Sequence, residues 1–292
     1  RRSLGRLLAG SEDLGLRALD DVLGDQMTDD LRDARDGLRA AALHRLIGQR
    51  RVGDMSGRAI GRSYERVPGT LVQPTPPQLS DAPRQARILG CVNCHGERLK
   101  GRLMFYSPAI ASIWAPNLTH VAARATDEQL EAAIRQGIGT DGRPLFVMPS
   151  GLYSRLSDAE VAALIAFIRS QPQVAEPTPR LSFGPLGRLG IVTGKISPQP
   201  ERIEAFRTNW PHALGPEHVQ GRRIAATVCA ECHMPDLSGG VMEDGNKTPD
   251  LSLAGAYDLD QFKTLMRTGK GISARDLGLM AEVARKDMAH FT

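Results

Sequence analysis

Cys91-Val92-Asn93-Cys94-His95 and Cys229-Ala230-Glu231-Cys232-His233 are two copies of one pattern, and together they use all four cysteines of the 292-residue chain. At the chain's own Cys and His frequencies, one chance match is expected roughly once in a thousand such chains, and two about once in a million. Two residues between the thiols let both sulfurs face one edge of a flat ring. The adjacent His then reaches an iron from the proximal side. This is the attachment pattern of c-type haem. A structural zinc site would set its two C-x-x-C pairs about 15–20 residues apart; these begin 138 residues apart (229 − 91). A thioredoxin-like pair needs no following His, and disulfides would leave both His unexplained. The reading is two covalently bound haem c groups, on Cys91 and Cys94 and on Cys229 and Cys232, with His95 and His233 as axial ligands of the iron.

Two sites suggest a duplication, and the segments after each motif align. Thr126-Asp127-Glu128-Gln129 has the form of a capping box, followed by Leu130, Ala133 and Ile134 on one helical face and closed by Gly137. Asp258-Leu259-Asp260-Gln261 repeats it, with Phe262, Leu265 and Met266, then Gly269. Eleven residues beyond each glycine stand Met148 and Met280. That shared offset, each in an expected loop, makes them the candidate distal ligands; a thioether there raises the reduction potential of the iron. A lone Met is more often core. Met288 misses the register and Met266 sits on a helical face. Ala115-Pro116-Asn117-Leu118-Thr119 also corresponds to Thr248-Pro249-Asp250-Leu251-Ser252. A ligating His needs a partner for its other ring nitrogen. The carbonyls of Pro116 and Pro249 are candidates, although Pro-Asn and Pro-Asp are also ordinary turn formers.

These residues resemble a duplicated class I cytochrome c. More closely, they are similar to the dihaem c-type cytochromes that serve bacterial periplasmic dehydrogenases. The resemblance covers about residues 84–292. It rests on both haem motifs, Ala115-Pro116-Asn117-Leu118-Thr119, Met148-Pro149-Ser150 with Leu156-Ser157-Asp158, Arg267-Thr268-Gly269 and Gly278-Leu279-Met280. It implies a mainly α fold of two tandem cytochrome c domains behind a helical or extended N-terminal extension. The expected divisions are an extension and Pro-rich linker over 1–83, a first domain over 84–172, a connection over 173–216 and a second domain over 217–292. The family's dehydrogenase subunits usually carry three haems, whereas this chain has two motifs. Ser157 opens a helix through Val161, Leu164, Ile165 and Ile168, and the second half reaches Phe291-Thr292 where the equivalent cap is due. Thr292 therefore reads as a truncation, and the start at Arg1, with no Met, as a processed or trimmed end.

The flanking segments say less. Leu31, Ala34, Leu38, Ala42 and Leu46 stand at helical spacing, so an amphipathic helix is expected over Asp29 to Ile47. Val67-Pro68-Gly69 through Pro74-Thr75-Pro76-Pro77 reads as a semi-rigid linker. Between the domains, Leu181, Phe183, Leu186, Leu189 and Ile191 favour a packed crossing over a loose tether. The longest apolar run, Val161 to Ile168, is too short to span a bilayer. Membrane association is therefore expected only through a partner or a segment not present in this sequence. A net charge of +4, from 37 basic and 33 acidic residues, is too balanced to argue for nucleic acid. Only 4% of residues are aromatic, as suits cores filled by porphyrin; Trp114 and Trp210 are candidates to pack nearby.

The resemblance implies an electron carrier, not an enzyme. Single electrons would pass between a dehydrogenase subunit or other redox donor and a downstream cytochrome or oxidase of a respiratory chain, in the periplasm, where haem of this kind is attached. The competing reading is a dihaem peroxidase with one exchangeable distal position, for which His120, His212, His218 and His290 are the available substitutes.

Overall fold

Helices make up most of the computed structural model, which describes residues 48–242, 245–273 and 277–291. The helix expected over 29–47 lies outside the described residues. The chain divides into two units, Arg1–Asp54 and Met55–Thr292, and the architecture that follows is that of the second. In that unit helical backbone (α1) runs over 55–61, and extended chain follows over 62–75. This extended chain is tied down. Tyr64 N donates to Gly142 O at 3.0 Å, and Arg66 Nη2 reaches the carbonyls of Gly139 and Thr140 at 3.0 and 2.8 Å. Val67 and Gln136 exchange two hydrogen bonds of 2.9 and 2.7 Å.

Part of the expected linker is helix. Thr75 precedes α2 (Pro76–Ile88), with Gln78 Oε1 accepting from Thr75 N at 2.8 Å and prolines in the first turn. Proline suits that place because its missing N–H would be unpaired there anyway. The expected boundary at 83/84 falls inside this helix. Gly90, at φ 74°, breaks the chain between α2 and the short α3 (Cys91–His95). Next come β1 (Arg102–Ser107), β2 (Ala111–Ala115), α4 (Leu118–Ala122) and α5 (Asp127–Gln136). Then come α6 (Ser150–Tyr153) and α7 (Asp158–Ser170). The boxes at Thr126–Gln129 and Ser157–Glu160 cap α5 and α7, and Gly137 ends α5 in the left-handed conformation, φ 68°.

α7 packs on α2 and α5, and they share one hydrophobic cluster, in which Leu89, Leu99, Leu130, Val161, Leu164 and Ile168 are buried. Burying a Leu side chain of this kind stabilises by about 1.5–3 kcal/mol. From beyond residue 217 the cluster's described buried members include only Ala230.

Two features were not expected. β1 and β2 form an antiparallel hairpin, interrupted by an irregularity between Leu103 and Phe105, to which β3 (Ser182–Phe183) adds. The crossing also carries two helices, α8 (Pro185–Val192) and α9 (Gln199–Thr208), each opened by proline. The crossing is packed in places: Phe183 meets Phe146 edge-on at 5.1 Å and Ile191 is buried, while Leu186 and Leu189 stay exposed.

After residue 216, α10 (Val219–Val228) runs directly into α11 (Ala230–His233). A short hairpin, β4 (Gly240–Val241) and β5 (Lys247–Thr248), precedes a 3-10 turn over Leu251–Ala256. α12 (Leu259–Thr268) is capped by Asp258 with Gln261 and ended by Gly269 at φ 74°. α13 (Leu279–Lys286) packs on α12, and the 3-10 turn Met288–His290 packs on α2 and α12. Among the described residues no helix is long and apolar enough to cross a membrane.

Candidate haem-attachment sites

Both motifs take the same local shape. His95 Nδ1 lies 2.8 Å from the carbonyl of Pro116, and His233 Nδ1 lies 2.8 Å from that of Pro249. A carbonyl can only accept, so each Nδ1 is the donor in this contact, and Nε2 is the ring nitrogen left for a metal. That is the tautomer a metal ligand needs. Both rings are buried, with 7% and 8% of their surface exposed. Burial pushes the His95 pKa below the ordinary value, partly offset by the Pro116 bond, so the ring is held neutral.

The turn after each motif repeats as well. Gly101 N donates to His95 O at 2.8 Å and Gly239 N to His233 O at 3.0 Å. Leu118 N reaches Leu99 O at 2.8 Å, as Leu251 N reaches Leu237 O at 3.0 Å. Leu99 and Leu237 both sit at positive φ, 52° and 66°. A Cβ on Gly101 would come within 2.6 Å of Ala115 O, and one on Gly239 within 2.4 Å of the Pro249 carbonyl carbon. Glycine is therefore what lets the backbone close onto the proline loop. Sequence reasoning missed these four positions, although Leu and Gly stand four and six residues after each His in the sequence.

None of the four cysteines is joined in a disulfide, and all are partly buried. Burial, helped by the neighbouring thiol, pushes Cys91 up to about 12 and Cys229 up to about 11. Among the described residues no three His, Cys, Asp or Glu side chains gather as an ion site. The donor set, two thiols in no disulfide beside an imidazole whose Nδ1 is held by a proline carbonyl, fits a covalently held haem at each motif.

The methionines differ. Met148 lies in irregular chain, half-buried, and packs against the same cluster that Cys91 borders. Met280 was expected in a loop but stands in the first turn of α13. The residue after each explains this. Pro149 disfavours helical backbone at Met148, whereas Ala281 leaves Met280 free to enter a helix. Met266 is half-buried on α12 and Met288 is buried in the last 3-10 turn. Of the histidines named as substitutes, His212 and His218 are exposed, and His120 Nδ1 lies 3.0 Å from Ala175 O. Trp114 lies on β2 with Nε1 donating to Ser112 Oγ at 3.2 Å, and Trp210 is flanked by Arg155 and Arg222.

The two proline loops are braced unequally. Asn117, 1% exposed, donates from Nδ2 to Val174 O and Glu176 O at 2.9 and 2.8 Å. Its Oδ1 accepts from Thr119 and from His120 N. The first proline loop is thus locked to the start of the crossing. Asp250 is exposed and holds Ser252 N at 2.7 Å. Tyr153 Oη, buried beside the first motif, donates to Leu89 O at 2.6 Å.

Residues 84–172 match the cytochrome c family model. The chain is 28% identical over 254 residues to the fructose dehydrogenase cytochrome subunit of Gluconobacter japonicus, covering 75% of this chain and 51% of that protein. It is 28% identical over 273 residues to the cytochrome c subunit of alcohol dehydrogenase (quinone) of Gluconacetobacter polyoxogenes, covering 79% and 57%. The corresponding subunit of Gluconobacter oxydans (strain 621H) is 25% identical over 256 residues, covering 71% and 50%. The chain thus spans about half the length of the curated relatives it matches. It carries a cytochrome c domain over 84–172, and Cys91, Cys94 and His95 fit that domain's haem motif.

Proposed function

We propose that the chain is a dihaem c-type cytochrome, built as two tandem cytochrome c domains, that passes single electrons from a dehydrogenase subunit or other redox donor toward a downstream cytochrome or oxidase in the periplasm. One observation carries the reading: each C-x-x-C-H histidine turns Nδ1 to a proline carbonyl at 2.8 Å and keeps Nε2 for iron. The relatives, cytochrome subunits of dehydrogenases, support the partner class.

Cys91 and Cys94 would hold one haem and Cys229 and Cys232 the other, and His95, His233, Met148 and Met280 are the side chains that would ligate iron. When bound, the haem supplies a one-electron couple. The chain's part is to fix imidazole orientation through Pro116 and Pro249, to keep His95 neutral by burial, and to offer Met148 and Met280 as soft thioether donors. With His95, His233, Met148 and Met280 as iron ligands the chain would offer no open position to a substrate, and its own activity would be electron transfer, as the relatives' names as cytochrome subunits support.

Haem content by pyridine haemochrome and intact mass tests the count; two per chain is expected, and one would sink the dihaem reading. The weak far-red Met–iron band of the oxidised protein tests the ligands. Met148→Ala and Met280→Ala should each remove part of that band and lower one potential by about 100 mV or more. If the band and potentials survive both substitutions, these methionines are not the ligands.

A further inference from the structure

Arg155 is a buried cation, 8% exposed, that faces no carboxylate among the described residues. Its partners are all backbone carbonyls. Nε and Nη2 donate to Phe206 O at 2.9 and 2.7 Å, Nη1 to Ala226 O at 2.6 Å, and Nη2 also to Asn209 O at 2.6 Å and Pro235 O at 3.0 Å. Phe206 and Asn209 lie in the last turn and cap of α9, and Ala226 in the last turn of α10. Carbonyls at helix C-termini lack intrahelical partners and carry the negative end of the helix dipole. Two such ends converge on one guanidinium, which explains how the charge is tolerated without an anion. The rings of Phe206 and Trp210, 5.4 and 4.7 Å from Cζ, close the remaining sides. Burial and the neighbouring Arg222 lower its pKa to about 10, so it stays protonated near neutrality.

The placement of those carbonyls carries the argument. Ala226 stands three residues before Cys229 and Pro235 two residues after His233, so the guanidinium holds the second motif from both sides. Arg155 itself belongs to the first half, just beyond α6. Two residues back, Tyr153 bonds to Leu89 O beside the first motif. Ala230, inside the second motif, is buried in the same cluster as Tyr153. The segment Tyr153–Arg155 therefore grips both attachment segments at once. Only a forked, planar donor set reaches so many acceptors; an ammonium on a lysine stem has the charge but not the span.

We propose that Arg155 is the positioning residue that fixes the second attachment segment, Cys229–His233, against the first and so sets the separation across which the two haems exchange electrons. The inference rests on the dihaem reading above. A single electron leaves reduced iron at one site and reduces oxidised iron at the other; no bond or proton moves and no further reactant is needed.

The test uses the full haem-loaded chain with Arg155→Met, Arg155→Lys and, as a cation lost from the same Trp210 face, Arg222→Met. Haem count is measured first; a wild-type protein holding fewer than two haems overturns the dihaem reading and the exchange role with it, whereas two haems with exchange unaltered in Arg155→Met overturn the role of Arg155 alone. In two-haem protein, electron exchange between the sites is followed after flash reduction of one equivalent, with amide hydrogen exchange over 226–237 alongside. Both Arg155 variants should slow the exchange about tenfold or more and lose amide protection, while Arg222→Met leaves both unchanged. An unchanged rate in Arg155→Met, or full recovery in Arg155→Lys, overturns the proposal. So does failure of both Arg155 variants to fold as two-haem proteins, which would make the residue one of stability alone.

Discussion

The two halves share their local geometry and differ in what surrounds it. Each has a histidine on a proline carbonyl, a leucine at positive φ four residues on, a glycine closing the turn, and a capped helix ended by a left-handed glycine. Around the first, α2, α5 and α7 bury a continuous cluster and Asn117 braces the proline loop. Around the second, α12 buries Leu265 while leaving Leu259 and Phe262 exposed, and Asp250 bonds only locally among the described residues. An attachment turn is thus a local object, set by a few backbone bonds and two glycines. The core around it is a separate achievement, and the second half borrows part of its support from the first.

The largest effect that could break this comparison comes from the thiols. The double variants Cys91→Ala with Cys94→Ala, and Cys229→Ala with Cys232→Ala, should each remove one covalent haem, read by intact mass. Loss at the first site should also destabilise the shared cluster, whereas loss at the second should leave the first haem loaded. Equal destabilisation by both would contradict the dependence of one half on the other.

Core truncation follows. Leu164→Ala, in the continuous cluster, should cost about 3–4 kcal/mol, and Leu265→Ala, the buried residue of α12, about 2 kcal/mol. Chemical denaturation of the haem-loaded chain measures both. If the second costs as much as the first, the two cores are equally consolidated.

The caps should show no such asymmetry. Thr126→Ala and Asp258→Ala each remove an oxygen that accepts from the helix's first turn, at 3.2 and 2.8 Å, and each should cost about 1 kcal/mol. Melting curves differing by more than twofold between them would show that capping here is not local.

The smallest effect is a dependence on pH. Asp287, beside Asn93 of the first motif and near Glu282 and Lys286, is pushed up to about 6, chiefly by burial. The folded protein therefore keeps this proton to a higher pH than the unfolded chain, which releases it near its ordinary value of about 4. The stability it contributes is full below about pH 4 and is lost as pH rises through about 6. Asp287→Asn should leave stability unchanged at pH 4 and raise it by about 1 kcal/mol at pH 8, discounted for partial solvation. Urea midpoints at the two pH values check this, and an equal change at both would sink it.

Local features were legible in the chain because each is written in consecutive residues: the two motifs, the boxes at Thr126, Ser157 and Asp258, and the closing glycines. What escaped depends on neighbours distant in sequence. β1 has Leu103, Met104, Phe105 and Tyr106 exposed, so no alternation marks it as a strand. α8 and α9 open on prolines in a stretch too rich in Gly and Pro to show a helical period. Met280 entered a helix because the repeat register ignores the proline that follows Met148 alone. Arg155 reads as one more surface arginine until its four carbonyls, up to 80 residues away, are seen together.

The tied-down extended chain before α2 bears on how this molecule can be dissected. A fragment cut to the family match at residue 84 would lose Thr75 and the first two turns of α2. It would also strip Gln136, 9% exposed, of both bonds to Val67, and uncover Glu131 where Gly69 now presses on it. A buried amide left without partners costs about 1–3 kcal/mol. The smallest piece that folds as the first half does here therefore begins some twenty residues upstream of the recognisable domain, near Tyr64, and a protease nick in that strap would be felt at α5.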